Sequence, residues 1–489
     1  MSASSSSPAA SPETRAKRPQ HNCLECKRLK RACDKGFPCG KCVKANRICE
    51  YKDPCDDGVF GPISAAKDIN SLAFGTLLDI LVNKPRVKEA VALYFDGVNT
   101  WFTIVERATF ERDLEANWGN LSAETSAMAL CMALIARPPN QKSSKGLGDT
   151  VYLSTTAILK VIRSRVPMSI KMLQAELLVA MYEFSHSMPQ QAYSSLGSCL
   201  QMTKVFGWHN PSFWSDERRA SKPGELKLCS ILWWAIVYID GLLNVAYQDQ
   251  AYPMNTADLA PCSVVPLPEV FDQPFSPNLA FQFGGQAQAL RDANSDHIDG
   301  IVFPEATSAW YLSNVLQQLS NPTAPGNFDS KSLSDLIWQH ALATCALKWR
   351  AGDRNAAVGT DFIALMKLNH RGLFGAMDPI PILDPNHAQA AQKIRLVTDV
   401  VHGKAGKLAQ CEDQLSRGAV DPCWAFAMCY AALLLIAHGD DALHDADWFQ
   451  KVANLRIALD KVSKRWKIAE QYCERVTIAL DNRLTGYAR

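Results

Sequence analysis

Six cysteines between Cys23 and Cys49 follow the spacing C-x2-C-x6-C-x5-C-x2-C-x6-C. The unit C-x2-C-x6-C occurs twice, as Cys23, Cys26, Cys33 and as Cys39, Cys42, Cys49. Two residues between thiols let one turn present both to the same metal, and thiolates at a tetrahedral site select zinc. Two separate four-coordinate sites would need eight ligands. Six suffice only if two thiolates, one from each repeat, are shared between metals. The repeat therefore predicts two zinc ions rather than a disulfide knot. Cations are interleaved with the sulfurs: Lys27, Arg28, Lys30 and Arg31 in the first repeat, Lys41 and Lys44 in the second.

Charge is segregated along the chain. Its 489 residues carry 51 Lys+Arg against 49 Asp+Glu. The first 55 residues nevertheless hold 12 Lys+Arg and 5 Asp+Glu, a surplus of +7, which leaves −5 for the remainder. A basic head on a mildly acidic body is the footprint of a nucleic-acid-binding module joined to something else. Ten of the 16 cysteines lie outside the repeat, scattered and in part within apolar runs such as those around Cys131, Cys229 and Cys429. That usage suits a reducing compartment. The first 20 residues lack the apolar stretch of a secretory signal. The apolar run from Cys423 to Ala437 is short for a membrane span and reads as a buried helix. A soluble intracellular protein without a membrane partner is expected.

The cysteine segment resembles the fungal Zn2Cys6 binuclear-cluster DNA-binding domain at every cysteine. The resemblance implies that Cys23 and Cys39 bridge, that Cys26 and Cys33 complete one zinc site, and that Cys42 and Cys49 complete the other. The family's basic run appears as Lys27-Arg28-Leu29-Lys30-Arg31, and its Gly-x-Pro-Cys turn as Gly36-Phe37-Pro38-Cys39. Leu29 and Ala32 stand where the family often has basic residues. Lys30 matches the family's base-reading lysine, so the end of the first short helix is expected in the major groove of double-stranded DNA. There a lysine can donate to guanine O6 and N7, and the family's usual target is a CGG triplet. Lys27, Arg28, Arg31, Lys41 and Lys44 are expected to hold phosphates.

These residues need a scaffold. Residues 1–20 are rich in Ser, Ala and Pro and cannot bury enough surface to order themselves. The cluster domain spans 21–52, a turn-rich linker 53–67, and an all-helical body 68–489. A short amphipathic helix through Ile69, Leu72, Leu77 and Leu81 is predicted to stop at Pro85, too short for a coiled coil. Broad apolar faces recur over Met172–Phe184, Leu226–Leu243 and Leu312–Leu319, and no alternating strand pattern appears. Pro253 to Pro277 reads as a long connection. The last helix carries Leu455, Leu459, Val462, Trp466, Ala469, Cys473, Val476 and Leu480 at heptad spacing. That stripe is expected to pack within its own domain. The fold class is thus all-α: a small binuclear zinc cluster linked to a large multi-helical regulatory domain.

The body also resembles the regulatory middle homology region of fungal transcription factors. The blocks are Tyr94 to Val105, Leu173 to Glu183, Ser195 to Gly197, Met202 to His209, Leu232 to Asp240, and Val462 to Tyr472. The resemblance implies a nuclear transcription regulator that engages the transcription machinery; a homodimer and a small-molecule effector are left open. The rival reading is a ligand-sensing or interaction protein with weak DNA binding. No nucleophile elbow, metalloprotease helix or phosphate loop is present in the sequence, so no catalytic residue is assigned. The His438-to-Asp447 cluster reads as an acidic inter-helix loop, His209 as a part-buried histidine, and Trp233 and Trp234 as core.

Overall fold

The computed structural model describes residues 23–34, 39–45, 69–138, 149–247, 252–256, 265–268, 305–321, 329–346, 356–374 and 385–486. Residues 1–20, the linker 53–67, Cys49 and most of Pro253–Pro277 lie outside them. The chain divides into two compact units, 1–68 and 69–489. All regular structure among the described residues is helical.

The first unit holds two five-residue helices, α1 (Leu24–Arg28) and α2 (Gly40–Lys44). The second begins with α3 (Ile69–Leu81), α4 (Lys84–Asp96), α5 (Arg107–Ala116), α6 (Ala123–Ala136) and α7 (Thr150–Arg165). It continues with α8 (Ile170–Ser185), α9 (Pro189–Val205), α10 (Asp216–Ser221), α11 (Pro223–Ala246) and α12 (Glu305–Ser320). It closes with α13 (Ser330–Ala346), α14 (Ala356–Phe374), α15 (Pro385–Leu408), α16 (Glu412–Ser416), α17 (Cys423–His438), α18 (Trp448–Ser463) and α19 (Ile468–Gly486).

Local chemistry sets most boundaries. Ser122 and Ser169 accept the Thr125 and Met172 backbone N–H groups and so cap α6 and α8. Pro85 falls in the first turn of α4, behind the Asn83 cap, rather than ending α3. α3 stops at Leu81, and Val82 turns into the left-handed region.

α6 and α17 are apolar all round and almost wholly buried, as core helices must be. α6 packs on α3, α4, α7 and α8, and α8 on α9 and α11. The core then passes through α12 and α14 to α15, α17, α18 and α19. α11 has the length and hydropathy to cross a membrane, but 89% of its apolar window is buried inside the body. Trp233 and Trp234 lie on it, both buried in the core.

The segment 417–421 ties distant parts of the body together. The Trp101 indole donates to the Gly418 carbonyl at 2.8 Å and the Trp466 indole to the Val420 carbonyl at 2.7 Å. The Tyr238 hydroxyl donates to Asp421 at 2.5 Å. Gly97 lies against the same segment: a Cβ there would sit 1.9 Å from the Arg417 carbonyl oxygen.

The expected single last helix is two. α18 ends at Ser463 and α19 begins at Ile468. The break falls where Trp466 reaches Val420 and where Arg465, 1% exposed, donates to the Ile135 carbonyl while lying over the Trp466 ring. The heptad stripe runs through the break, with Leu455, Leu459, Val462, Trp466, Ala469, Val476 and Leu480 all buried in the body. His209 is exposed rather than part-buried, because it follows Gly207 out of the turn that seats Trp208.

A buried acid on α8 makes stability depend on pH. Burial raises the Glu183 carboxyl from 4.5 to about 7, against the Ser195 and Tyr152 hydroxyls, which lower it. Its contribution is therefore present below the ordinary carboxylate range and lost as pH climbs through about 7. Glu183→Gln keeps an acceptor for Tyr152 but cannot ionise. The urea midpoint of this variant relative to the parent should rise from about pH 5 to about pH 8. A difference that does not change with pH would contradict the assignment.

Candidate metal centre and nucleic-acid interface

The two short helices begin alike. Cys23 is the N-cap of α1, and its sulfur accepts the Cys26 N–H at 3.4 Å. Cys39 is the N-cap of α2, and its sulfur accepts the Cys42 N–H at 3.4 Å. The C-x2-C spacing thus makes the first cysteine of each repeat a cap as well as a potential ligand. Cys23, Cys26, Cys39 and Cys42 are buried, with all four sulfurs within 4.8 Å of one another.

The distances between sulfurs form a distinct pattern. Cys23 lies 3.7 Å from Cys39 and 3.7 Å from Cys42, and Cys26 lies 3.7 Å from Cys39. A tetrahedral zinc with Zn–S bonds of about 2.3 Å has S–S edges of about 3.8 Å. The sulfurs therefore fit zinc: Cys23–Cys39 as an edge shared by two tetrahedra, and the other two pairs as one edge of each. Cys33, half-buried, joins Cys39 and Asp34 in a second grouping. Cys49 lies outside the described residues.

Burial pushes the Cys39 thiol up, but the Cys42 N–H and the Cys42, Cys26 and Cys23 thiols outweigh it, and its pKa falls to about 6. Cys26, whose thiol donates toward Cys23 and is desolvated, rises to about 12. Such a set holds protons that a metal must displace.

Two features of this unit are not foreseeable from sequence. Asp34 accepts the Gly40 N–H at 2.8 Å, bracing the first residue of α2 against the end of the first repeat. Lys30, expected at the end of α1, lies past it, at φ 51°. Its N–H bonds the Lys27 carbonyl at 3.1 Å and the Arg31 N–H bonds the Cys26 carbonyl at 2.9 Å. This is the paired closure that normally ends a helix on glycine. Gly207 and Gly418 occupy the same position after α9 and α16, with the same bond pattern. A lysine there strains the backbone by about 1–2 kcal/mol.

Lys27, Arg28, Lys30, Arg31, Lys41 and Lys44 are all exposed. Arg28 is tied to Glu25 through Nε at 2.9 Å and Nη2 at 2.8 Å, and that pairing raises its pKa. Its fork is thus partly occupied, a fact the i, i+3 spacing of Glu25 and Arg28 could have signalled.

The His438-to-Asp447 cluster has structural employment. Asp440 pairs with Arg483 at 2.8 Å, and buried Asp445 takes Lys451 at 2.5 Å. Among the described residues the groupings of three or more possible metal ligands are the two cysteine sets.

Comparison with known proteins places both units. The model of the fungal Zn(2)-Cys(6) binuclear cluster domain matches residues 21–57, and that of the fungal specific transcription factor domain matches residues 91–321. The chain carries both domains of the fungal Zn2Cys6 transcription factors. With them it is a DNA-binding transcription regulator that carries two zinc ions. Transcription factor BOA15 of Botryotinia fuckeliana is 24% identical over 132 residues, covering 27% of this chain and 73% of that protein. No solved structure matches. The match to the transcription factor domain ends at 321, whereas the helical body of this chain runs on through α19.

The strained closure at Lys30 generates a test. Lys30→Gly removes the side chain and the strain, whereas Lys30→Ala removes the side chain alone. The glycine variant should retain zinc against a competing chelator better than the alanine variant, by about 1 kcal/mol. Equal retention would show that the backbone is not strained there.

Proposed function

We propose that this regulator acts in the nucleus on RNA polymerase II genes by reading a CGG-type triplet. In this reading Cys23 and Cys39 bridge the two zinc ions, Cys26 and Cys33 complete one site, and Cys42 and Cys49 the other. Zinc supplies the folding energy that a segment this small cannot draw from a core. The three 3.7 Å sulfur–sulfur distances support this ligand scheme. The observation that carries the base-reading role is Lys30 itself. It is exposed, and it holds a backbone position that glycine would fill at lower cost. Strain retained at an exposed cation points to a use for that cation. Lys30 donates to the guanine acceptors in the major groove, while Lys27, Arg31, Lys41 and Lys44 set register on phosphates. Among the described residues, the cleft lined by Trp101, Lys404, Gln414 and Trp424 is about water-sized, too small for an effector.

Metal analysis checks the ligand scheme. The intact chain should hold two zinc ions. Ser at Cys23 or Cys39 should cost both, since each is shared, and Ser at Cys26 mainly one. Loss of a single ion from Cys39→Ser would refute the bridge.

DNA binding checks the role of Lys30. Lys30→Ala should weaken binding to a CGG-containing duplex by about 1–3 kcal/mol and relax preference for the triplet. Arg15, Lys17 and Arg18 lie just ahead of the cluster in sequence, and neutralising any of them should weaken all duplexes alike and lower the salt slope by about one for each phosphate no longer neutralised. Equal weakening on cognate and scrambled duplexes would return Lys30 to the phosphate-binding class.

A further inference from the structure

The sequence Arg218-Arg219-Ala220-Ser221 lies between α9 and the long helix α11, far along the chain from the zinc cluster. We infer that Ser221 is a phosphorylation site for a basophilic serine/threonine kinase, one whose acidic substrate groove reads arginines three and two residues before the acceptor. We further infer that the phosphate docks at the start of α11.

Accessibility comes first. Ser221 is exposed, and so are Lys222, Pro223, Gly224 and Glu225 after it. The Ser221 hydroxyl donates to the Arg218 carbonyl at 3.2 Å, a long bond within one turn that a kinase can displace. A kinase groove takes an extended peptide, so the segment must open. α10 has six residues, well below the length at which a helix sustains itself in water. It packs on the 3-10 turn Pro211–Trp214 and on α11. Such short, exposed pieces are the first to open locally.

The electrostatics at the junction then receive the product. α11 is 24 residues long; Lys222 is its N-cap and makes no side-chain capping bond, and Pro223 lies in its first turn. The positive end of the helix dipole therefore lies beside Ser221 without a capping side chain. Glu225 serves two cations there, Lys222 at 2.9 Å and Arg218 at 3.7 Å. Arg218 also lies over the Phe213 ring at 4.0 Å. A phosphate carries nearly twice the charge of Glu225 and three acceptor oxygens. It would draw Lys222 and Arg218 to itself and add an anion at the helix start.

The step balances with ATP as co-substrate. The Ser221 oxygen forms a bond to the γ-phosphorus, the bond to the ADP oxygen breaks with its electron pair leaving on ADP, and the hydroxyl proton passes to the kinase's base.

The test uses the full-length, zinc-loaded protein with ATP and the catalytic subunit of cyclic-AMP-dependent protein kinase. Peptide mass analysis should find about one phosphate per chain at Ser221. That signal should vanish in Ser221→Ala and slow in the Arg218→Gln, Arg219→Gln double variant, with the unmodified variants melting like the parent. No phosphate at Ser221, or phosphate there only after unfolding in urea, overturns the site. Docking has its own readout. At low salt the phosphorylated protein should melt higher than the unmodified one. The rise should shrink at high salt and disappear in Lys222→Gln. An unchanged or lower melting temperature overturns the docking.

Discussion

An irregular segment buried in a helical body persists only if its carbonyls find donors, because a buried unpaired backbone group costs as much as a lost hydrogen bond. In this protein two indoles meet that constraint for the segment 417–421: Trp101, from before α5, reaches the Gly418 carbonyl, and Trp466, from the break between α18 and α19, the Val420 carbonyl. A phenol, Tyr238 from α11, holds the Asp421 carboxylate beside them. Each of these donors is itself buried. The break between the last two helices follows from the same constraint, since Trp466 must leave the helical path to reach Val420. Gly97 follows from it too, since any side chain there would strike the Arg417 carbonyl.

The zinc head solves its problem by the opposite means. It buries four sulfurs and little else among its described residues, so metal replaces a core. Local hydrogen bonds arrange the sulfurs. Each first cysteine caps its own helix, and Asp34 pins the second helix to the end of the first repeat. With the sulfurs placed by caps, the cations between them are free to face outward, and Lys30 is presented on a loop whose shape is fixed by two backbone bonds.

What the sequence discloses follows from range. The cysteine arithmetic spans fewer than thirty residues, and ligand number is a counting constraint, so the cluster is legible. The helices of the body are legible from their apolar faces, as in α8 and α11. The break at Lys464–Lys467 is not, because the heptad stripe passes through it without a missed beat. Nor is the role of Gly418 and Val420, whose partners are set by tertiary packing. The base-reading role proposed for Lys30 comes only through family resemblance. The residue's left-handed backbone is invisible because lysine has no preference for that region. His209 misleads because it adjoins buried Trp208, whereas the turn at Gly207 separates the two.

The long reach of the body's anchoring bonds has a consequence for synthesis. Trp101 and Gly418 are 317 residues apart, and Arg465 and Ile135 are 330 apart. A ribosome adding about 5–20 residues per second leaves Trp101 without its acceptor for tens of seconds. For most of that interval the largely apolar α6 is out of the exit tunnel while α18 and α19 do not yet exist. The cysteine repeats, complete by residue 49, have no such wait. On the translating ribosome a nascent chain can therefore hold a metal-folded head while its body still needs shelter from aggregation. A stop codon ahead of Trp466 would prolong that state without limit.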